Sequence, residues 1–211
     1  MDRSAALTII KNRLGNIQGT AHDSLIVTNM QLVQETVMEG GDFKPWFLRS
    51  LDQALVTITD TRDVATPTGF LEEIESSVSM WYLDSDGAYN EVEKEDFFDL
   101  RDLYGVTEGS PKKYALSNES FQIFPLPDAV YNLRLDAYVR DTALTTNIEN
   151  NWLKYGADWV IAETARQTAM DLQYQKLGQN FEQDSAKARA RLYVQHVSRE
   201  EAGRTRKMGD S

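Results

Sequence analysis

Tyr114-Ala115-Leu116, a short turn at 117–120, Phe121-Gln122-Ile123-Phe124-Pro125-Leu126-Pro127 and then Tyr131-Asn132-Leu133-Arg134-Leu135-Asp136-Ala137-Tyr138 form the stretch that decides the fold. Apolar and polar residues alternate there with period two, which predicts strands with one face against a core. Pro125 and Pro127 cannot sit inside a central ladder, so the sheet is expected to open or bend between the second and third of these strands.

Working upstream, Leu55–Thr59 reads as a strand and 60–69 as a polar loop holding Pro67 and Gly69, followed by Phe70-Leu71-Glu72-Glu73. Ser77–Leu83 and Tyr89–Glu93 read as a hairpin closed by the turn Asp84-Ser85-Asp86-Gly87. Glu95–Leu103 reads as a short helix whose apolar residues are Phe97, Phe98, Leu100 and Leu103.

Helices flank this region. Ala6, Ile9, Ile10, Leu14 and Ile17 recur at three-to-four spacing, as do Ile26, Met30, Val33 and Val37 from a start near Asp23. Gly40-Gly41 is expected to end the second helix in a left-handed cap. Lys44-Pro45-Trp46-Phe47-Leu48 reads as a core plug, with an exposed aromatic docking site as the other reading. Downstream, Thr146 and Glu149 fit a capping box. Trp152, Tyr155, Trp159 and Ala162 then line one face, and Leu153, Ala157, Val160, Thr164, Thr168 and Leu172 the next. An apolar surface that wide predicts packing on more than one neighbour. Gly178 is expected to bend or break the tail, Phe181–Val197 to resume a helix, and the chain from Glu201 to order only when bound.

The expected fold is therefore α+β and mainly helical: a helical bundle with a small antiparallel β lobe and a long C-terminal helix or arm. Residues 1–175 would form the body, with helices at 5–14, 23–38 and 147–175 and the lobe at about 55–140. Residues 176–211 would form the C-terminal helix and arm.

Thirty-three acids against 22 bases give a net charge of −11. Residues 176–211 carry +3 and residues 1–175 carry −14. An acidic body argues against general affinity for nucleic acid, while a basic tail suggests an acidic partner. The chain has no cysteine, hence no disulfide frame, thiolate nucleophile or Cys-based zinc site. Synthesis in the cytosol without a signal segment or membrane span is expected, since Ala5–Ile10 is too short for either.

Few residues suggest chemistry. His22 and His196 are the two histidines, and neither has neighbours in sequence that would mark a catalytic triad. Asp84-Ser85-Asp86-Gly87 places glycine fourth, where a calcium-binding loop needs it sixth, so a hairpin turn explains it better. Glu91, Glu93, Glu95, Asp96, Asp99 and Asp102 form an acidic run in which Glu95 and Asp99 would share a helix face. It reads as a solvated face or a charged rim between subunits, with paired acid and base as the alternative. No glycine-rich phosphate loop occurs, and no cofactor is implied. No aromatic is interleaved with the tail arginines, Tyr193 standing alone, so a stacking platform for nucleic acid is not expected.

The order of segments resembles the portal-adaptor, or head-to-tail connector, proteins of tailed bacteriophages. The matching pieces are Lys44–Leu48, Thr66-Pro67-Thr68-Gly69-Phe70-Leu71-Glu72-Glu73, Lys113-Tyr114-Ala115-Leu116, Ile123–Tyr131 and Glu149-Asn150-Asn151-Trp152-Leu153, within residues 20–175. Residues 176–211 match nothing in that pattern. The resemblance implies a non-enzymatic virion component: a homo-oligomeric ring, twelve subunits being the expected number, bound to the portal protein above and a tail or nozzle protein below. DNA would pass through as cargo, with no cofactor, metal or membrane contact. Lys187, Arg189, Arg191, Arg199, Arg204, Arg206 and Lys207 would order against an acidic portal surface. The rival readings are a virion-associated cell-wall hydrolase using Glu95 and Asp99, and a sequence-tolerant DNA binder.

Overall fold

A computed structural model of the chain describes residues 1–74, 78–117, 119–145 and 147–207, with backbone alone from 201 onward. It folds as two compact units, Met1–Leu48 with Asp141–Ser211, and Arg49–Arg140.

In the second unit, β1 (Arg49–Val56), β2 (Asp63–Ala65), β3 (Phe70–Glu73), β4 (Met80–Leu83), β5 (Tyr89–Lys94), β7 (Lys113–Ser117), β8 (Ser120–Phe124) and β10 (Asn132–Val139) join one eight-stranded sheet. Its order is β1-β10-β4-β5-β7-β8-β2, with β3 also paired to β10. All pairs are antiparallel except β5 with β7, and the mixed sheet curls into a half-barrel. The short β6 (Glu108–Gly109) and β9 (Leu126–Pro127) pair separately.

This overturns the expectation of a mainly helical protein with a small lobe, since the chain is 45% helix and 25% strand. The missed strands explain the error. β2 and β3 are three and four residues long, too short for a period-two signal, and are held by partners distant in sequence. β1 begins six residues before the expected Leu55 and ends at Val56.

The deciding stretch is otherwise as read. Ser117 faces Ser120 across the β7–β8 hairpin, and β8 stops at Phe124, before a cis Phe124–Pro125 bond. The sheet does open there: β8 lies beside β7 and β2, whereas β10 lies between β1 and β4. Phe121, Ile123, Leu133, Leu135 and Ala137 point into one core with Val64, Met80, Val92 and Tyr114. Both faces of β7 are covered, because α3 (Phe97–Tyr104) lays Leu100 over Ala115 and Phe124. Leu116, next to the Ser117–Ser120 end of the hairpin, is exposed. The 84–87 turn is as expected: Asp84 Oδ1 accepts from the amides of Asp86 (3.0 Å) and Ala88 (2.8 Å), and Gly87 takes φ +80°.

The helical unit is built on α5 (Ala157–Asp171), packed by α1 (Arg3–Arg13), α2 (Thr20–Leu32), α4 (Asn151–Tyr155) and α6 (Gln175–Lys207). Its wide apolar surface is thus covered by several neighbours. α2 continues into a π-helical turn at Val33–Met38. Gly40 and Gly41 do not take the expected left-handed backbone. They are glycines because a Cβ at either would stand 2.7 Å from a carbonyl oxygen, of Thr36 and Val37 respectively. The cap of α4 is Asn150, whose Oδ1 accepts from Leu153 N at 2.9 Å; Thr146 of the expected box lies outside the described residues. The break before α6 falls at Gln173 (φ +60°), not at Gly178, which sits inside α6. A Cβ at Gly178 would meet Met170 Sδ at 2.9 Å, the movable end of a half-exposed side chain.

Candidate interaction surfaces

The acidic run does not form a carboxylate pair. Asp96 is the N-cap of α3, accepting from Phe98 N at 2.8 Å. Glu95 therefore precedes the helix and shares no face with Asp99. Instead it pairs with Lys113 at 2.8 Å, beside Glu93 at 3.2 Å. Hydrogen bonding to Glu95, then Glu93, holds the Lys113 ammonium above its ordinary 10.5. The buried carboxylate of this unit is Glu73, paired with Lys94 and close to Tyr114, whose phenol is pushed up mainly by burial. On α2, His22 Nδ1 lies 2.7 Å from Gln18 O, and on α6 the His196 ring meets Phe43 edge-on at 5.4 Å. Among the described residues, no group of three or more His, Asp or Glu is placed to hold a metal ion, and no helix is long and apolar enough to cross a membrane.

The helical unit carries two features the sequence reading missed. One is a buried polar network. Glu39, 2% exposed, accepts at Oε1 from Gln34 Nε2 (2.8 Å), Trp152 Nε1 (3.2 Å) and Asp141 N (3.1 Å). Asn150 joins it through Gln34 Oε1 (3.3 Å) and Thr142 O (2.8 Å). The other is an aromatic belt. Phe47 meets Trp152 edge-on at 4.9 Å and stacks on Tyr155 at 5.5 Å, and Trp46 packs on Phe47 at 5.2 Å. Leu48 is buried beneath, so the expected plug is half core and half shelf.

The tail cations distribute along this belt. The Arg199 guanidinium lies 4.3 Å from the Trp46 ring centre, and that of Arg189 lies 5.8 Å from Trp159. Tyr193 does not stand alone, since its ring lies 5.5 Å from Phe43. The missing aromatics come from residues 43–46 and 159, which tail spacing could not reveal. Arg191 lines a groove with Lys154, Asp158 and Gln195. Arg204, Arg206 and Lys207 fall on the last turns of α6, their side chains outside the described residues.

Charge divides sharply between the units. Residues 49–140 hold 18 acids against eight bases, net −10, leaving −1 for the helical unit. Large apolar side chains also stand in solvent on the sheet unit: Phe98, Leu103 and Val106 are 61, 69 and 89% exposed. The chain belongs to the family described as SU10 adaptor protein, whose model matches residues 7–208, and is thus a structural adaptor of a bacteriophage and a component of the virion. No curated protein matches it.

Proposed function

We propose that copies of this chain form a ring, twelve in number, at the neck of the particle. The ring bridges the capsid portal to a tail or nozzle protein and surrounds the channel through which DNA leaves. The observation that carries this reading is the division of charge: −10 on the sheet unit, against 14 bases and 15 acids on the helical unit. A channel faced by the sheet unit repels phosphate, so DNA slides without being gripped. The basic end of α6 is drawn to an acidic portal surface. Arg204, Arg206 and Lys207 lead that contact. Arg199 and Arg189 lie behind them, both already seated on rings. The apolar faces of α5 are covered by this chain's own helices, so contacts around the ring fall to other surfaces.

Removing residues 198–211 tests the arm. The shortened chain is expected to stay folded but no longer join portal-bearing capsids; capsids that still acquire it normally would end the arm reading. A filter-binding salt titration tests the channel, where tight DNA binding at moderate salt would refute a repelling wall.

A further inference from the structure

α3 lays Leu100 into the sheet and leaves Phe98 and Leu103 in solvent beside Asp99 and Asp102. Arg101 on the same helix reaches Asp102 at 3.6 Å and lies 5.3 Å from the Phe98 ring centre, while Asp99 extends the acidic side of the helix. A short helix that keeps two large apolar side chains exposed beside these charges is poorly suited to facing water alone. The complementary surface lies on the same chain. Phe181, Ser185, Ala188 and Leu192 form the buried stripe of α6, so helical periodicity turns Lys187, Ala190, Arg191 and Val194 outward. Val194 is 63% exposed. Residues 185–199 contain four bases and no acid. Two of these bases, Arg189 and Arg199, sit on aromatic rings. Lys187 and Arg191 form no ion pair among the described residues, Arg191 lining the groove that also holds Asp158.

We propose that the outer face of α6 in one copy docks on α3 of the next, Lys187 and Arg191 meeting Asp99 and Asp102, and Val194 packing against Phe98 and Leu103. This rests on the ring reading above and names its subunit contact. The two patches differ, so the contact is head-to-tail, and such contacts close into rings when the rotation permits. Opposite charges on the two helices fix its direction and disfavour like-to-like pairing.

The absence of cysteine makes the test clean. Leu103→Cys and Val194→Cys are introduced singly and together, and phage particles assembled with each variant are treated with a short bismaleimide. The double variant is expected to give a ladder of linked copies, and either single variant only monomer. Adding Lys187→Glu and Arg191→Glu should abolish the ladder, and adding Asp99→Lys and Asp102→Lys as well should restore it. Particles with a ring visible at the neck by electron microscopy but no ladder overturn this contact and leave the ring reading standing. Particles without any ring overturn both.

Discussion

Glu39→Ala removes the carboxylate at the centre of the buried network. Of the three donors named above, Gln34 Nε2 has carbonyl alternatives at Thr142 (3.3 Å) and Asp141 (3.4 Å), so it is not stranded. Trp152 Nε1 and the Asp141 amide have Glu39 as their acceptor and lose it. Each unpaired buried donor costs about 1–3 kcal/mol, so the expected loss is about 4 kcal/mol. For a chain of this size that lowers the Tm by about 8–16 °C. Glu39→Gln keeps one acceptor oxygen and should lose about half as much. Urea and thermal unfolding followed by far-ultraviolet circular dichroism measure both. If Glu39→Ala costs less than about 1 kcal/mol, or Glu39→Gln costs more than Glu39→Ala, the carboxylate is not what holds Trp152 against Asp141.

Asp84 is held below its ordinary 3.8 by hydrogen bonding from Asn90, then from the Ala88 amide. Its contribution to the hairpin is therefore present above about pH 4 and lost as pH falls through the depressed value. Asn90→Ala should raise the Asp84 titration seen by NMR toward 3.8, and an unchanged curve refutes the assignment. Gly40→Ala forces a Cβ to 2.7 Å from Thr36 O and should cost about 1–3 kcal/mol in urea unfolding, a neutral result ruling out the close approach. Ser185→Ala removes the hydroxyl that donates to Glu163 Oε2 at 2.6 Å, leaving Arg166 on Oε1. A loss of about 1–2 kcal/mol is expected, and no loss would show that this bond does not fasten α6 to α5.

Much of the fold was legible where pattern is long. The period-two run through Leu133, Leu135 and Ala137 named both the strand and its buried face. The helical repeats of α1 and α2 named their inner stripes in the same way, through Ala6, Ile10, Ile26 and Met30. What was hidden lies in short or non-local features. β2 and β3 exist because β8 and β10 offer them edges. Glycines at 40 and 41 were read for backbone freedom, whereas the structure uses their missing Cβ. At the surfaces, the acidic run was visible, but the cap at Asp96, which separates Glu95 from Asp99, was not. The belt under the tail arginines was invisible because Phe43 and Trp46 lie more than a hundred positions from Tyr193 and Arg199, and Trp159 lies on the preceding helix.

The sheet unit is an uninterrupted segment, and its two ends lie side by side, since Arg49 on β1 faces Tyr138 on β10. A segment that enters and leaves at one spot can be cut out and bridged by a short linker, or traded for another module, with little geometric penalty.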